Sequence, residues 1–365
     1  MQVCIIGLAG AGKTTVFNTL ARGHADTGGF GGLTVNTGVV KVPDDRLSRL
    51  TELFKPKREV PADVTYVDLP APPSAIDGRA SDIPPDQLAR LRTADALLHV
   101  VRVFDDPSVP HPSGSVDAWR DLEQLDLEFV LADLGVIEKR LEKLDTTGRH
   151  GTPAEREQNG RERVVLARLR PAVAEGRPIR DLELTEDESR IVRGYRFLTE
   201  KPVLILLNVG DGQIAASAVL VGDFAARYQH HHSRIEALSA RIEMEMGELD
   251  PSEAQAFRDE LGVPDSGLER VIRLSYELLG LISFFTAGPD ETRAWTIPDG
   301  SNAVDAAGAI HTDLARGFIR AEVVPMDELL ALGSFAEARK HGKLRSEGKT
   351  YRVRDGDVIE ILFNV

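Results

Sequence analysis

Gly7-Leu8-Ala9-Gly10-Ala11-Gly12-Lys13-Thr14 forms the pattern G-x-x-x-x-G-K-[ST], and its neighbours decide the fold. Each residue type in it has a chemical task. The glycines let the backbone curl until successive N–H groups face a polyphosphate. Lys13 brings a fixed positive charge to the β- and γ-phosphates, and Thr14 offers a hydroxyl to Mg²⁺. Val3-Cys4-Ile5-Ile6 before the loop is a short apolar run of the kind a buried parallel strand uses. Thr14–Ala21 after it reads as a helix whose positive end faces the same anion. Strand, glycine loop and helix together make Gly7, Ala9, Gly10, Ala11, Gly12, Lys13, Thr14 and Thr15 the candidate phosphate-contacting residues.

Further strands follow at Gly38–Val42, Val64–Asp68, Leu97–Val103 and Pro202–Asn208. Asp68 ends the second of these, placed to hold Mg²⁺ through water; the alternative is a carboxylate capping a loop. Residues 23–35 are glycine-rich and read as an irregular loop. Asn208-Val209-Gly210-Asp211 is an N-x-x-D at a strand end, where P-loop GTPases read the base. Its acid would pair with the N1 and N2 donors of guanine, while the Lys that usually stacks on the base is absent. Ile235–Arg241, with Ser239 and Ala240, reads as a last strand and the S-A-[KR] loop beside the base.

Between Val103 and Pro202 the pattern changes. Leu127, Val130, Leu134, Ile137, Leu141 and Leu144 recur at three- and four-residue steps, and Leu166, Leu169 and Val173 supply a second stripe. The expectation is an antiparallel helical hairpin with its tip in Thr146–Gly160; two separate helices on the sheet are the alternative. From about Leu281, Trp295–Ile297, Gly317–Val323 and Val358–Phe363 read as strands around a helix at Ala303–His311, the content of a small β-grasp module. Arg339, Lys340, His341, Lys343, Arg345, Lys349, Arg352 and Arg354 cluster there. They either face RNA phosphates or form a solvated surface balanced by Glu337, Glu347, Asp355 and Asp357.

Composition bounds the rest. At 365 residues, 42% hydrophobic and 28% charged, the chain has the make-up of a globular protein of two or three domains. There is no long uncharged apolar run, so no membrane association is expected. A single cysteine, Cys4, excludes an intrachain disulfide and reads as a small buried hydrophobe; a cytoplasmic location is the expectation. A net charge of −14 argues against nucleic-acid binding over the whole surface. His230-His231-His232 has no partner spacing for a metal and reads as a solvated loop or helix end.

The order of these parts resembles the YchF-type Obg-like ATPases, nearly end to end. Carrying the resemblance are Asn36–Val40, Ala94–Arg102, Phe197–Pro202, Phe285–Gly288, Arg293–Thr296, Ile310–Asp313, Gly317–Val323, Glu347–Lys349, Asp355–Val358 and Phe363–Val365. It implies an α/β fold. Residues 1–111 and 200–280 would form a P-loop NTPase domain of the TRAFAC class with a mostly parallel sheet. Residues 112–199 would form the inserted hairpin, and 281–365 a C-terminal β-grasp domain of the TGS type. Mg²⁺ with ATP, preferred over GTP, is the implied ligand, and the ribosome the implied partner. The chain is expected to be a monomer and to touch ribosome or RNA through its TGS and helical domains.

The departures from that family are specific. Gly10 stands where the family has an Asn that in related GTPases helps hold K⁺. The switch I Thr falls at Gly32, leaving Thr34 as the nearest hydroxyl for Mg²⁺. The D-x-x-G motif reads Asp68-Leu69-Pro70-Ala71, followed by Pro72 and Pro73, and Ala75–Pro85 lacks the glycine-rich switch II pattern. Asp211 replaces a Glu. Two functions follow as expectations. The first is a switch protein that binds Mg·ATP with Gly7–Thr15, places Mg²⁺ with Thr14 and Asp68, contacts the base with Asn208, Val209, Asp211, Ser239 and Ala240, and hydrolyses slowly. The second is a nucleotide-binding scaffold that turns over little or not at all, or else a GTP-preferring GTPase. A small-molecule kinase fits poorly, since a TGS-like domain has no place in one.

Overall fold

The computed structural model describes residues 1–21, 35–70, 83–147, 150–263 and 265–364. Its strands are β1 (Gln2–Ile6), β2 (Asn36–Lys41), β3 (Arg58–Val60), β4 (Asp63–Asp68), β5 (Ala96–Arg102), β6 (Val203–Asn208), β7 (Ser233–Leu238), β8 (Leu281–Ala287), β9 (Glu291–Pro298), β10 (Phe318–Pro325), β11 (Arg345–Glu347) and β12 (Asp357–Phe363). Two compact units result: Met1–Gly38 with Thr65–Val271, and Val39–Val64 with Ile272–Val365.

The first unit is an α/β layer structure on a sheet of order β2-β4-β1-β5-β6-β7. β4, β1, β5, β6 and β7 pair in parallel. Every residue of β5 and β6 is buried, which is why both read as unbroken apolar runs rather than alternating ones. Cys4 is fully buried in β1, and burial pushes its thiol up to about 11. The carboxyl ends of β1, β4, β5 and β6 therefore lie along one sheet edge, the position where parallel α/β sheets hold their ligands.

Helices Ala118–Thr147 and Pro153–Ala174 form the inserted hairpin. Val130, Ile137, Leu141 and Leu144 close on Leu166, Leu169 and Val173 in a core of their own. Thr152 and Glu155 cap the second helix reciprocally, so the turn is shorter than the polar stretch to Gly160 suggested. Leu127 is not in the seam: it is 54% exposed. Leu122, Leu125 and Phe129 belong instead to the sheet's core, so one long helix serves the sheet first and the hairpin second. Asp133, on the first hairpin helix, anchors the segment by which the chain returns to the sheet. This fully buried carboxylate accepts from the Leu198 and Thr199 N–H groups at 3.1 and 2.8 Å and from the Thr199 hydroxyl at 2.9 Å. His230 Nδ1 lies 2.5 Å from Asp181, so the histidine run is partly anchored rather than simply solvated.

The second unit carries a sheet of order β11-β10-β12-β8-β9-β3. The hairpin β8–β9, helix Ala303–Ile310, β10, and β12 returning parallel to β8 give the β-grasp order. Sequence reading placed Val39–Val64 in the nucleotide-binding part. The structure assigns it to this unit: β3 pairs in parallel with β9, and Arg46, from helix Asp45–Phe54, bonds Asp44 and Asp355. Three residues of strand and one arginine bridge leave no periodicity to read. Among the basic side chains, Arg339 pairs with Glu322, Lys340 with Glu337, Lys343 with Glu328 and Arg345 with Glu347. No described helix is long and apolar enough to cross a membrane.

Candidate functional site

The loop after β1 is shaped by its glycines. Gly7, Gly10 and Gly12 take φ of +146°, +74° and +91°, where side chains other than glycine are strained. Space adds a second reason. A Cβ at Gly7 would stand 2.3 Å from the Val100 carbonyl oxygen, and one at Gly12 would stand 2.3 Å from Asn208 Nδ2. The backbone is thus drawn against β5 and β6, and helix Lys13–Ala21 starts at the loop's end.

Lys13 is 7% exposed, and its Nζ donates to the Leu8 carbonyl at 3.0 Å. Burial lowers it to about 8, with the charge of Asp68 opposing the shift. Asp68, 4% exposed at the end of β4, accepts from the Thr14 hydroxyl at 2.8 Å. Burial raises the Asp68 carboxyl, against the Thr14 bond, the Lys13 charge and the neighbouring Asn36 side chain. Its Oδ1 is buried with no hydrogen-bond partner among the described residues. A hard cation beside a polyphosphate would meet an orphaned carboxylate oxygen and a hydroxyl, the donor types Mg²⁺ takes. The residues therefore fit both groups: a glycine cradle with a buried cation for the anion, and Thr14 with Asp68 for the metal.

The other end of the site is assembled from β6 and β7. Asn208 is buried at the end of β6. Its Nδ2 donates to the Ala11 carbonyl at 2.9 Å, and its Oδ1 accepts from Ala240 N–H at 3.0 Å. One amide thus staples the phosphate-side loop to the 239–240 loop. Val209 is buried, and its N–H donates to Leu238 at 2.9 Å, holding the two loops level. Asp211 accepts from the Ser239 hydroxyl at 3.2 Å and pairs with Arg241. Ser239 also caps helix Ala240–Gly247. The structure brings together Gly7, Ala9, Gly10, Ala11, Gly12, Lys13, Thr14, Thr15 and Asp68 at one end, and Asn208, Val209, Asp211, Ser239 and Ala240 at the other. Thr34, Gly32 and Ala71–Ser81, with the switch readings made on them, lie outside the described residues.

Comparison with known proteins places this geometry. Residues 281–364 match the YchF-GTPase_C family, described as a protein of unknown function, and residues 2–209 match the MMR_HSR1 family, described as a 50S ribosome-binding GTPase. A Ribosome-binding ATPase YchF of Bacillus subtilis (strain 168) is 38% identical over 99% of this chain and 98% of its own length. The chain belongs to the YchF family. A second member, Ribosome-binding ATPase YchF of Escherichia coli O157:H7, is 36% identical over the same shares of each chain. The solved Schizosaccharomyces pombe YchF GTPase superposes with a TM-score of 0.86 at 28% identity, over 99% of this chain and 97% of its own. A GTP-binding protein of Pyrococcus horikoshii OT3, at 18% identity and a TM-score of 0.61, shares the fold.

In this member of the YchF family, three residues beside the site, Arg102, His111 and Asp121, had no role in the sequence reading. Arg102, 3% exposed at the end of β5, donates to the Phe104, Val109 and Asp106 carbonyls at 3.1, 2.9 and 3.2 Å. It shapes the loop beside Gly10, where an added Cβ would come 3.3 Å from its Nη1. His111 and Asp121 form a buried pair, Nε2 to Oδ2 at 2.7 Å. Arg241 lies in the 239–241 loop that the sequence reading put beside the base; its pairing with Asp211 is what that reading did not contain. A charged residue closing an apolar strand was the available signal for Arg102; the pairings of His111 and Arg241 depend on which loops meet.

Proposed function

We propose that this YchF-family protein is a nucleotide-dependent switch that binds Mg·ATP, hydrolyses it slowly and acts at the ribosome. The observation that carries the reading is the buried Lys13 beside Asp68 and Thr14 at the mouth of the glycine turn. The Lys13 ammonium has three donors and is seen to give one to the Leu8 carbonyl, so it has donors to offer a polyphosphate. Gly7–Thr15 would hold the phosphates, Thr14 and Asp68 would hold Mg²⁺, and Asn208, Val209, Asp211, Ser239 and Ala240 would line the base. Bound Mg²⁺ would neutralise oxygens of the β- and γ-phosphates. Lys13 would orient the γ-phosphate for attack by water. Positioning and charge neutralisation are the sources of catalysis here, so turnover without a partner is slow.

The named relatives are ribosome-binding ATPases, and this supports a ribosomal partner and with it a cytoplasmic location; action as a monomer is part of the same proposal. The proposed division of labour gives 1–38, 65–111 and 200–271 the nucleotide, and gives the hairpin 112–199 and the C-terminal unit, 39–64 with 272–365, the partner. Single-turnover hydrolysis of ATP and GTP by wild type and Lys13→Ala tests the enzyme, and co-sedimentation with ribosomes in each nucleotide tests the partner. Lys13-dependent phosphate release is expected. Tight binding without any Lys13-dependent release would make the protein a scaffold instead.

A further inference from the structure

We propose that Arg241 selects adenine over guanine by turning an acceptor wall into a donor wall; this rests on the nucleotide-binding reading above. A free Asp211 carboxylate would suit guanine, whose N1–H and exocyclic N2 amine are both donors. The carboxylate here is engaged on both oxygens. Oδ1 accepts from the Ser239 hydroxyl at 3.2 Å, and Oδ2 pairs with Arg241. Ser239 leaves acceptor capacity on Asp211, since a carboxylate offers about four lone-pair sites. A guanidinium differs in kind: it neutralises the charge and presents only N–H donors.

Adenine has an acceptor at N1 where guanine has a donor, so an Asp211–Arg241 pair suits adenine and repels the donors of guanine. The staple through Asn208 adds precision. Ala240, the neighbour of Arg241, is held by its N–H on Asn208 Oδ1 at 3.0 Å, which fixes where the arginine starts. Glu245, one turn on, lies 4.0 Å from Arg241 Nε and offers a second, weaker anchor. The arginine side chain is 65% exposed, so the pair is a modest discriminator, not an absolute one.

The test is displacement of a fluorescent ATP analogue by unlabelled ATP and by GTP, both with Mg²⁺, on wild type, Arg241→Ala, Arg241→Lys and the double variant Arg241→Ala/Asp211→Asn. Thermal melts confirm that all four are folded. The expected result is a rise of about three- to tenfold in GTP affinity relative to ATP for Arg241→Ala. Arg241→Lys keeps the wild-type ratio, and the double variant returns toward it because guanine needs the released carboxylate. An unchanged ratio in Arg241→Ala overturns the proposal. So does an equal loss of both nucleotides, which would make Arg241 a general support. If wild type binds neither nucleotide, and Lys13→Ala behaves identically, the phosphate-loop reading fails and this one falls with it. Binding of both with an unmoved ratio rejects Arg241 alone.

Discussion

The two ends of the candidate site solve opposite problems. At the phosphate end, polar groups are left in debt: Lys13 is buried and lowered to about 8, and Asp68 Oδ1 has no partner among the described residues. At the base end, Asn208 spends both halves of its amide on Ala11 and Ala240, and Asp211 is held by Ser239 and Arg241. Unsatisfied buried groups gain most from a ligand, whereas satisfied ones must first release a partner. Affinity should therefore come from the phosphates, and the base end should set selectivity at small energies.

Lys13→Ala strikes the indebted end directly. Hydrogen bonds to charged groups contribute about 1.5–3 kcal/mol, so Mg·ATP affinity should fall on the order of 10- to 100-fold in a fluorescence titration. A loss under about threefold would place the binding energy elsewhere. Asn208→Ala cuts the staple that joins the ends. It strands the Ala11 carbonyl and the Ala240 N–H, at a cost of roughly 1–3 kcal/mol in denaturant unfolding, and nucleotide should protect the variant less than wild type. Equal protection would mean that the two loops do not need each other.

The pH profile separates the ends without mutation. Lys13 is near 8 in the free protein, and a bound polyphosphate raises it. A group whose affinity rises on protonation binds fully below its free value and weakens above it. Affinity should be flat below about pH 7 and fall by up to about tenfold per unit above pH 8 in wild type, and not in Lys13→Ala. The smallest change is expected for Asp211→Asn. Its carboxylate already has partners, so ATP affinity should move by less than about threefold. A large loss would show that Asp211 contacts ATP directly.

Legibility followed the same division. The phosphate end is written in contiguous residues: Gly7–Thr14 between an apolar strand and a helix needs no distant information, and Asp68 ends a strand in plain view. Val203–Asn208 announced itself as a central strand because both of its faces are buried. What stayed hidden depends on the meeting of separate segments. Arg241 finds Asp211 only after β6 and β7 align. β3 is three residues long and is a strand because β9 lies beside it. Leu127 fits the heptad spacing, yet the helix turns it outward between two cores. Periodicity states which residues share a face, not which neighbour arrives to cover it.

The most direct test of the indebted phosphate end is calorimetry of Mg·ATP binding at pH 8 in two buffers of different ionisation enthalpy. A lysine near 8 in the free protein and well above it in the complex takes up about half a proton on binding. The account predicts that uptake in wild type and none in Lys13→Ala. Binding enthalpies that agree between buffers for the wild-type protein would contradict it.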